Sequence, residues 1–439
     1  VSGVRAATAA VRGGEVLDAL RAQPGGPELL ALAEGRADLA LVGGAVRDLL
    51  LGRTPRELDV VVTADAATLA RELVARIDAS ASAPARATLH DRFGTAMIEW
   101  EGARVDLAER RAETYPAPGA LPEVRPGSSE EDLARRDFTV NAIAVTLGGP
   151  RSGEIVAAAH ALEDLDAGRL RVLHERSFLD DPTRLLRLAR YRARLGFELE
   201  PETAALAAAA LQEGALMSVS RARLGAELRL ALAERGAPAA LEQMSGLGVL
   251  AALAPGLRFE RDLAQRALAL LPADGRRDLL LMASLLAHLT VMPAQDPETA
   301  IFGILDEMEF TAADRERTMR SVLAAPALVS TMTLALKPSQ LRAALHVHTP
   351  EAIALAAALA GESSPGAAQA AREWFQRVRL VRLQITGDDV VGAGVAPGPE
   401  VGRRLEAALA RKLDGELEDG REDGREAELR AALETTVES

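Results

Sequence analysis

Residues 41–62, Leu-Val-Gly-Gly-Ala-Val-Arg-Asp-Leu-Leu-Leu-Gly-Arg-Thr-Pro-Arg-Glu-Leu-Asp-Val-Val-Val, constrain this 439-residue chain more than any other stretch. The pattern predicts a strand running into the glycine pair Gly43 and Gly44, a helix that opens with Arg47 and Asp48, and a second strand carrying Glu57 and Asp59. Glycines let backbone N–H groups approach a phosphate closely, and the start of a helix favours that anion. Carboxylates two positions apart on a strand share a face and can hold a divalent metal beside a triphosphate. A lone Gly-Gly is usually a turn, and a lone acid-x-acid is usually a solvated strand edge. At this spacing, with Arg47 between them, they point to nucleotidyl transfer.

The rest of the composition narrows the class. The length allows two to four domains, and a 48% hydrophobic content supports a sizeable core without cross-links. The chain has no cysteine, which excludes disulfides, thiolate metal sites and cysteine nucleophiles. The six histidines lack metal-motif spacing apart from His346-Val-His348, so no zinc site is expected. An apolar helix at Leu279–Leu289 has no aspartate beside His288, so there is no His-Asp phosphohydrolase signature. A net charge of −13 argues against a broadly basic nucleic-acid coat, and 3% aromatic content argues against stacking platforms. Arginine supplies almost all positive charge, with Lys337 and Lys412 the only lysines. No long apolar run or signal-type leader stands out, and the expectation is a soluble, cytoplasmic protein.

Along the chain, Val1 to Glu34 predicts a small helical extension. From Asp38 to about Leu147 the pattern is mixed α/β, with candidate strands at Ala40–Gly43, Leu58–Thr63, Ala96–Glu101, Arg104–Leu107 and Asn141–Leu147. The segment Arg111–Ser129 is rich in proline and glycine and predicts a flap or disordered loop. Beyond Asp164 the chain predicts helix after helix, with breaks near Pro201, Gly214, Pro238, Pro255, Pro272, Pro293, Pro338, Pro350 and Pro365. A last helix is expected from Val401, followed by a charged, solvated duplication of Glu-Asp-Gly-Arg within residues 416–428.

Four further groups carry chemistry or its structural alternative. Asp106, in Val105-Asp106-Leu107, either faces solvent or supplies a third carboxylate from a neighbouring strand. Arg135-Arg136-Asp137, followed by Asn141, offers guanidinium groups to phosphate or ribose and an amide that either meets a sugar hydroxyl or holds a turn. In Asp180-Asp181-Pro182-Thr183-Arg184, a proline sits where a helix can begin, and Arg187 and Arg190 continue a positive strip at i+3 spacing. A carboxylate there accepts from the exocyclic amine of C or A, while a guanidinium donates to the adjacent ring nitrogen. Uracil and guanine present the opposite pattern, so Asp181 and Arg184 could choose C and A with protein alone. Ser220 to Leu228 reads mainly as a capped helix with an Arg223/Glu227 pair.

Taken in order, Gly-Gly-Ala-Val-Arg-Asp (43–48), Arg-Arg-Asp-Phe-Thr-Val-Asn-Ala (135–142), Asp-Pro-Thr-Arg-Leu-Leu-Arg (181–187) and Ser-Arg-Ala-Arg-Leu-Gly-Ala-Glu-Leu (220–228) resemble the bacterial class II tRNA nucleotidyltransferase and poly(A) polymerase family. Gly-Pro-Glu-Val-Gly (398–402) resembles its tail more weakly. The resemblance implies an α+β head of the polymerase-β-type nucleotidyltransferase fold followed by an all-α neck, body and tail in a seahorse shape. The boundaries it suggests are a helical extension at 1–37, head at 38–148, neck at 149–232, body at 233–345 and tRNA-binding tail at 346–439. It implies untemplated addition of C and A from CTP and ATP to the tRNA 3′ end. By position, Gly43, Gly44 and Arg47 would meet the triphosphate, Glu57 and Asp59 would hold Mg²⁺, and Asp106 would join them in catalysis. Arg136 and Asn141 would contact the nucleotide, and Asp181 and Arg184 would read the base with Arg187 and Arg190 in support.

Two positions depart from that pattern. Glu57 stands where the family usually has aspartate, and Val156-Ala157-Ala158-Ala159-His160-Ala161 replaces an Asp-Pro and a glycine pair at the head–neck hinge. The alternatives are a poly(A) polymerase, a specialist for A or for CC, and a non-catalytic RNA-binding relative. The full proline-rich loop favours retained A addition. Joint retention of Asp59, Arg136, Asp181 and Arg184 argues against decay. Oligomeric state is not legible.

Overall fold

The protein is described by a computed structural model covering residues 2–63, 65–78, 84–90, 94–292, 296–361, 364–417 and 422–434. The chain divides into two units, Val1–Ser220 and Arg221–Ser439.

The first unit is built on a seven-stranded sheet. Its strands are β1 (Ala40–Val42), β2 (Leu58–Val62), β3 (Arg86–His90), β4 (Thr95–Trp100), β5 (Ala103–Glu109), β8 (Ile143–Thr146) and β9 (Ile155–Ala157), in the order β3-β4-β5-β2-β1-β8-β9. A separate hairpin, β6 (Arg111–Thr114) with β7 (Glu123–Pro126), lies between β5 and β8 in sequence. Parallel pairing joins β2 to β5 and sets Asp59 opposite Asp106, whereas the other neighbours in this sheet are antiparallel. The expected strands form with ends shifted by one or two residues. β3 and β9 were not expected, and β9 carries the sheet past residue 148.

Helices complete this unit. The N-terminal extension forms α1 (Ser2–Arg21) and α2 (Gly26–Ala33), as expected. The glycine pair separates β1 from α3 (Gly44–Leu50), and Gly43 has a φ of 68°, open to glycine and costly for other residues. α4 (Ala66–Asp78) buries Leu69, Ala70, Leu73 and Ile77, one face at helical spacing, against β3, β4 and β5. α5 (Ser129–Ala134) begins with a reciprocal capping box between Ser128 and Glu131. Its Leu133 packs with Ala40, Val42, Val61, Ala142 and Ala144 on the sheet. α6 (Ala161–Ala167), α7 (Ser177–Asp180), α8 (Arg184–Leu195) and α9 (Pro201–Gln212) follow.

The Arg111–Ser129 segment, expected to be irregular, instead forms the β6–β7 hairpin and runs into α5. Among the described residues β7 pairs only with β6, so Pro126 sits on an edge where its missing N–H costs no ladder bond. Pro116, Pro118 and Gly119 fall in the connecting turn, and the Gly119 N–H donates to the Leu179 carbonyl at 3.0 Å.

The second unit is helical throughout its described residues. Helix 277–286 is entirely buried except at its first two residues, and helix 350–359 is buried over most of its length against helix 312–332. Pro338, Pro350 and Pro365 each open a helix, where the absent N–H is harmless. Pro326, by contrast, lies inside the helix 312–332. The expected break at Pro293 lies outside the described residues, as do residues 418–421 of the charged duplication. The helix expected from Val401 is Pro399–Leu413, but it is not the last: Glu422–Glu434 forms another, held by Glu428, which accepts from Gln384 N–H at 2.6 Å and Lys412 Nζ at 2.8 Å. Among the described residues, no helix is long and apolar enough to cross a membrane.

Candidate active site

Pairing β2 with β5 creates the first part of the site. Asp59 and Asp106 stand in register, and Glu57 precedes β2 with a side chain long enough to join them. One carboxylate oxygen from each of Glu57, Asp59 and Asp106 lies within 4.8 Å of the others. This is a set of hard oxygen donors of the kind that holds a divalent cation. Burial is the main cause that lifts the Asp59 pKa to about 7. Glu57 and Asp106 add to it, against the lowering effect of Arg136 and Arg104. Arg104 donates to both oxygens of Asp106, at 3.1 and 2.8 Å.

A cavity of about 370 Å³ adjoins Asp59 and is lined by Gly44, Arg136, Asn141, Asp181, Arg184 and Arg187, together with Arg111, Glu113, Tyr115, Arg135, Asp137 and Tyr191. Arginines outnumber carboxylates on this wall, which suits a polyanion. A Cβ on Gly43 would fall 2.6 Å from Arg136 Nη1, so glycine is required there for Arg136 to come close. A Cβ on Gly44 would meet only Arg47, at 3.6 Å or more, so protein packing alone does not demand that glycine. Because α3 has only seven residues, positive charge at this end of the cavity comes from side chains more than from a helix dipole.

Several expected contact residues serve inside the protein. Arg47 is 1% exposed and does not line the cavity. It donates to Asp48 at 2.6 and 2.8 Å and to the Asn141 side-chain oxygen, and lies 5.3 Å from the Tyr191 ring centroid. Asn141 in turn donates to Asp137 at 2.8 Å, so it links Arg47 to the next layer. Asp137 also accepts from Arg187 at 2.6 and 2.9 Å. Burial would raise the Asp137 pKa, but the Arg187 charge and the Asn141 hydrogen bond hold it down at about 2. Arg190 is also buried and stacks 5.2 Å from Tyr191, away from the cavity wall.

Asp181 and Arg184 are positioned by the start of α8. Asp181 accepts from the Thr183 N–H at 3.2 Å and its hydroxyl at 2.7 Å, an aspartate turn just before the helix. Arg184 donates to Ser177 Oγ at 2.6 Å and to the Arg135 carbonyl at 2.8 Å. Arg135 reaches Asp132 at 2.8 Å and Glu113 on β6 at 3.1 Å, while Arg136 reaches Asp132 at 2.9 Å. The hairpin, α5 and α8 therefore share one hydrogen-bonded wall.

The sequence reading missed Tyr115, Tyr191, Glu113 and Arg104. The chain has only two tyrosines, and both line this cavity. Burial pushes the Tyr115 hydroxyl up to about 12, and it donates to Glu113 at 3.2 Å. Tyr191 lies four residues after Arg187 on the same helix, a spacing that places both on one face.

The Poly A polymerase head domain family matches residues 39–171, which span the sheet and the acidic set. An A-adding tRNA nucleotidyltransferase of Geobacter sulfurreducens is 31% identical over 85% of this chain and 43% of its own length. A CC-adding tRNA nucleotidyltransferase of Deinococcus radiodurans is 34% identical over 84% of this chain and 83% of its own length. The chain spans 27–52% of the length of three A-adding relatives among those it matches. The solved Thermotoga maritima CCA-adding enzyme, complexed with tRNA, superposes with a TM-score of 0.71 at 25% identity, covering 96% of this chain and 99% of that one.

Proposed function

The chain belongs to the tRNA nucleotidyltransferase family, and we propose that it adds C and A from CTP and ATP to the 3′ end of tRNA without a nucleic-acid template. The observation that carries this reading is the single cavity where Asp59 meets Arg136, Asp181 and Arg184. Chemistry at one end and base selection at the other are what untemplated transfer needs.

In this reading Glu57, Asp59 and Asp106 hold Mg²⁺, for which three carboxylate oxygens are a fitting donor set. When bound, the ion would acidify the attacking 3′-hydroxyl and neutralise charge on the departing pyrophosphate. Arg136 and Arg187 bind the nucleotide's phosphates and ribose. Gly44 leaves room for the phosphates to approach the backbone. Asp181 accepts from the exocyclic amine of C or A, and Arg184 donates to the neighbouring ring nitrogen. Arg47 and Arg190 act from behind the wall against Tyr191, while Asn141, on the wall, links Arg47 to Asp137.

A narrower specificity has support of its own. The similar relatives include an A-adding and a CC-adding enzyme at comparable identity, so a chain that adds only one of the two bases is the second reading. Asp59→Ala is expected to abolish incorporation while circular dichroism shows an intact fold; unchanged activity would sink the site. Replacing Arg184 with Ala is expected to relax discrimination against UTP and GTP, and unaltered selectivity would remove it from base reading.

A further inference from the structure

Beside the carboxylate set lies a guanidinium that neither base reading nor phosphate binding uses. Arg104 and Asp106 are two apart on β5 and therefore share a face. Arg104 Nε and Nη2 engage Asp106 Oδ1 and Oδ2, so both oxygens of this carboxylate are occupied. The same Nε lies 3.4 Å from Glu57 Oε2. One cation thus bridges two of the three carboxylates that would hold the metal.

We propose that Arg104 is an internal counter-cation, seated on the carboxylate set when no metal is present and exchanged for the divalent ion when it binds. The inference rests on the metal-holding role of Glu57, Asp59 and Asp106. Three carboxylates this close repel one another unless a cation sits among them. A compact divalent ion concentrates more charge on their oxygens than a delocalised guanidinium, and it competes for the same lone pairs. Arg104 can leave, because its side chain is 40% exposed. It also has somewhere to go: Glu99 on β4 is its cross-strand partner. Exchange keeps a cation on the set in both states and sets the metal affinity below what the carboxylates alone would give.

The test compares the full chain, Arg104→Met, Arg104→Lys and Asp59→Asn by Mn²⁺ titration followed by electron paramagnetic resonance, with melting curves in EDTA and in saturating Mn²⁺. Arg104→Met is expected to tighten Mn²⁺ binding about fivefold or more, the scale of a partly exposed charge pair. Arg104→Lys, which keeps the charge but loses the two-pronged contact, is expected to fall between. Arg104→Met should also melt lower than the parent in EDTA, with the gap closing in Mn²⁺. Binding that is unchanged or weaker in Arg104→Met, or a melting deficit equal in both conditions, would overturn the exchange and leave Arg104 as a structural brace. A parent protein that takes up no Mn²⁺, or binding that survives Asp59→Asn, would instead overturn the metal site and this inference with it.

Discussion

At the scale of single residues, the Asp137–Arg187 pair shows how burial turns a surface-looking motif into a support. Arg-Arg-Asp resembles a solvated ion cluster in sequence, yet Asp137 is 7% exposed and fully engaged by Phe138 N–H, Asn141 and Arg187. Its depressed pKa contributes stability that is present above the unfolded value near 4 and is lost as pH falls through about 2. Arg187→Met leaves that carboxylate buried without its cation and is expected to cost about 3 kcal/mol at neutral pH. The deficit should shrink as pH falls from about 4 toward 2, where Asp137 becomes protonated in both proteins. Urea unfolding at several pH values checks this; a deficit independent of pH would mean the pair contributes through packing alone. Such a pair was half legible: its members stood out, but their partnership, 50 positions apart, depends on how α8 lies against the turn before β8.

Elements show the same division between local pattern and long-range pairing. β1, β2 and β8 were legible because each is largely an apolar run, β5 because apolar residues alternate with Arg104 and Asp106, and α4 because its buried residues recur at helical spacing. β9 was not, since three partly buried residues with alanines around them carry no strand signal until β8 pairs with them. The β6–β7 hairpin was hidden by its prolines, which occupy the turn and an unpaired edge. In the segment that departs from the family pattern, His160 adopts a left-handed φ of 64° at the start of α6. A β-carbon is strained there, and the side chain's contact, an exposed one to Glu163 at 3.3 Å, offsets little. His160→Gly is therefore expected to raise stability by about 0.5–1 kcal/mol, measured as a higher melting temperature. A lower one would show that the imidazole contributes more than its backbone strain costs. The Thr139 hydroxyl and Arg171 both bind Asp164 on α6, so this helix is tied to the turn that carries Asn141.

For the whole molecule, the site draws on groups from far apart in the chain: β2 and β5 supply carboxylates, the turn before β8 supplies Arg136, and α8 supplies Arg184 and Arg187. Motif order makes this assembly legible in the sequence, because four short motifs recur in family order even though none is specific alone. What the motifs could not reveal is which arginines face the cavity. Arg47 and Arg190 look equivalent to Arg136 and Arg187 in sequence, and burial separates them: the first two are buried, whereas the second two line the cavity. The most direct measurement is nucleotide incorporation by purified protein with Mg²⁺, labelled CTP or ATP, and tRNAs ending before CCA, after the first C and after CC. C is expected on the first two substrates and A on the third, with all incorporation abolished by Asp59→Ala. Incorporation at none of the three ends, or incorporation that persists in Asp59→Ala, would contradict it.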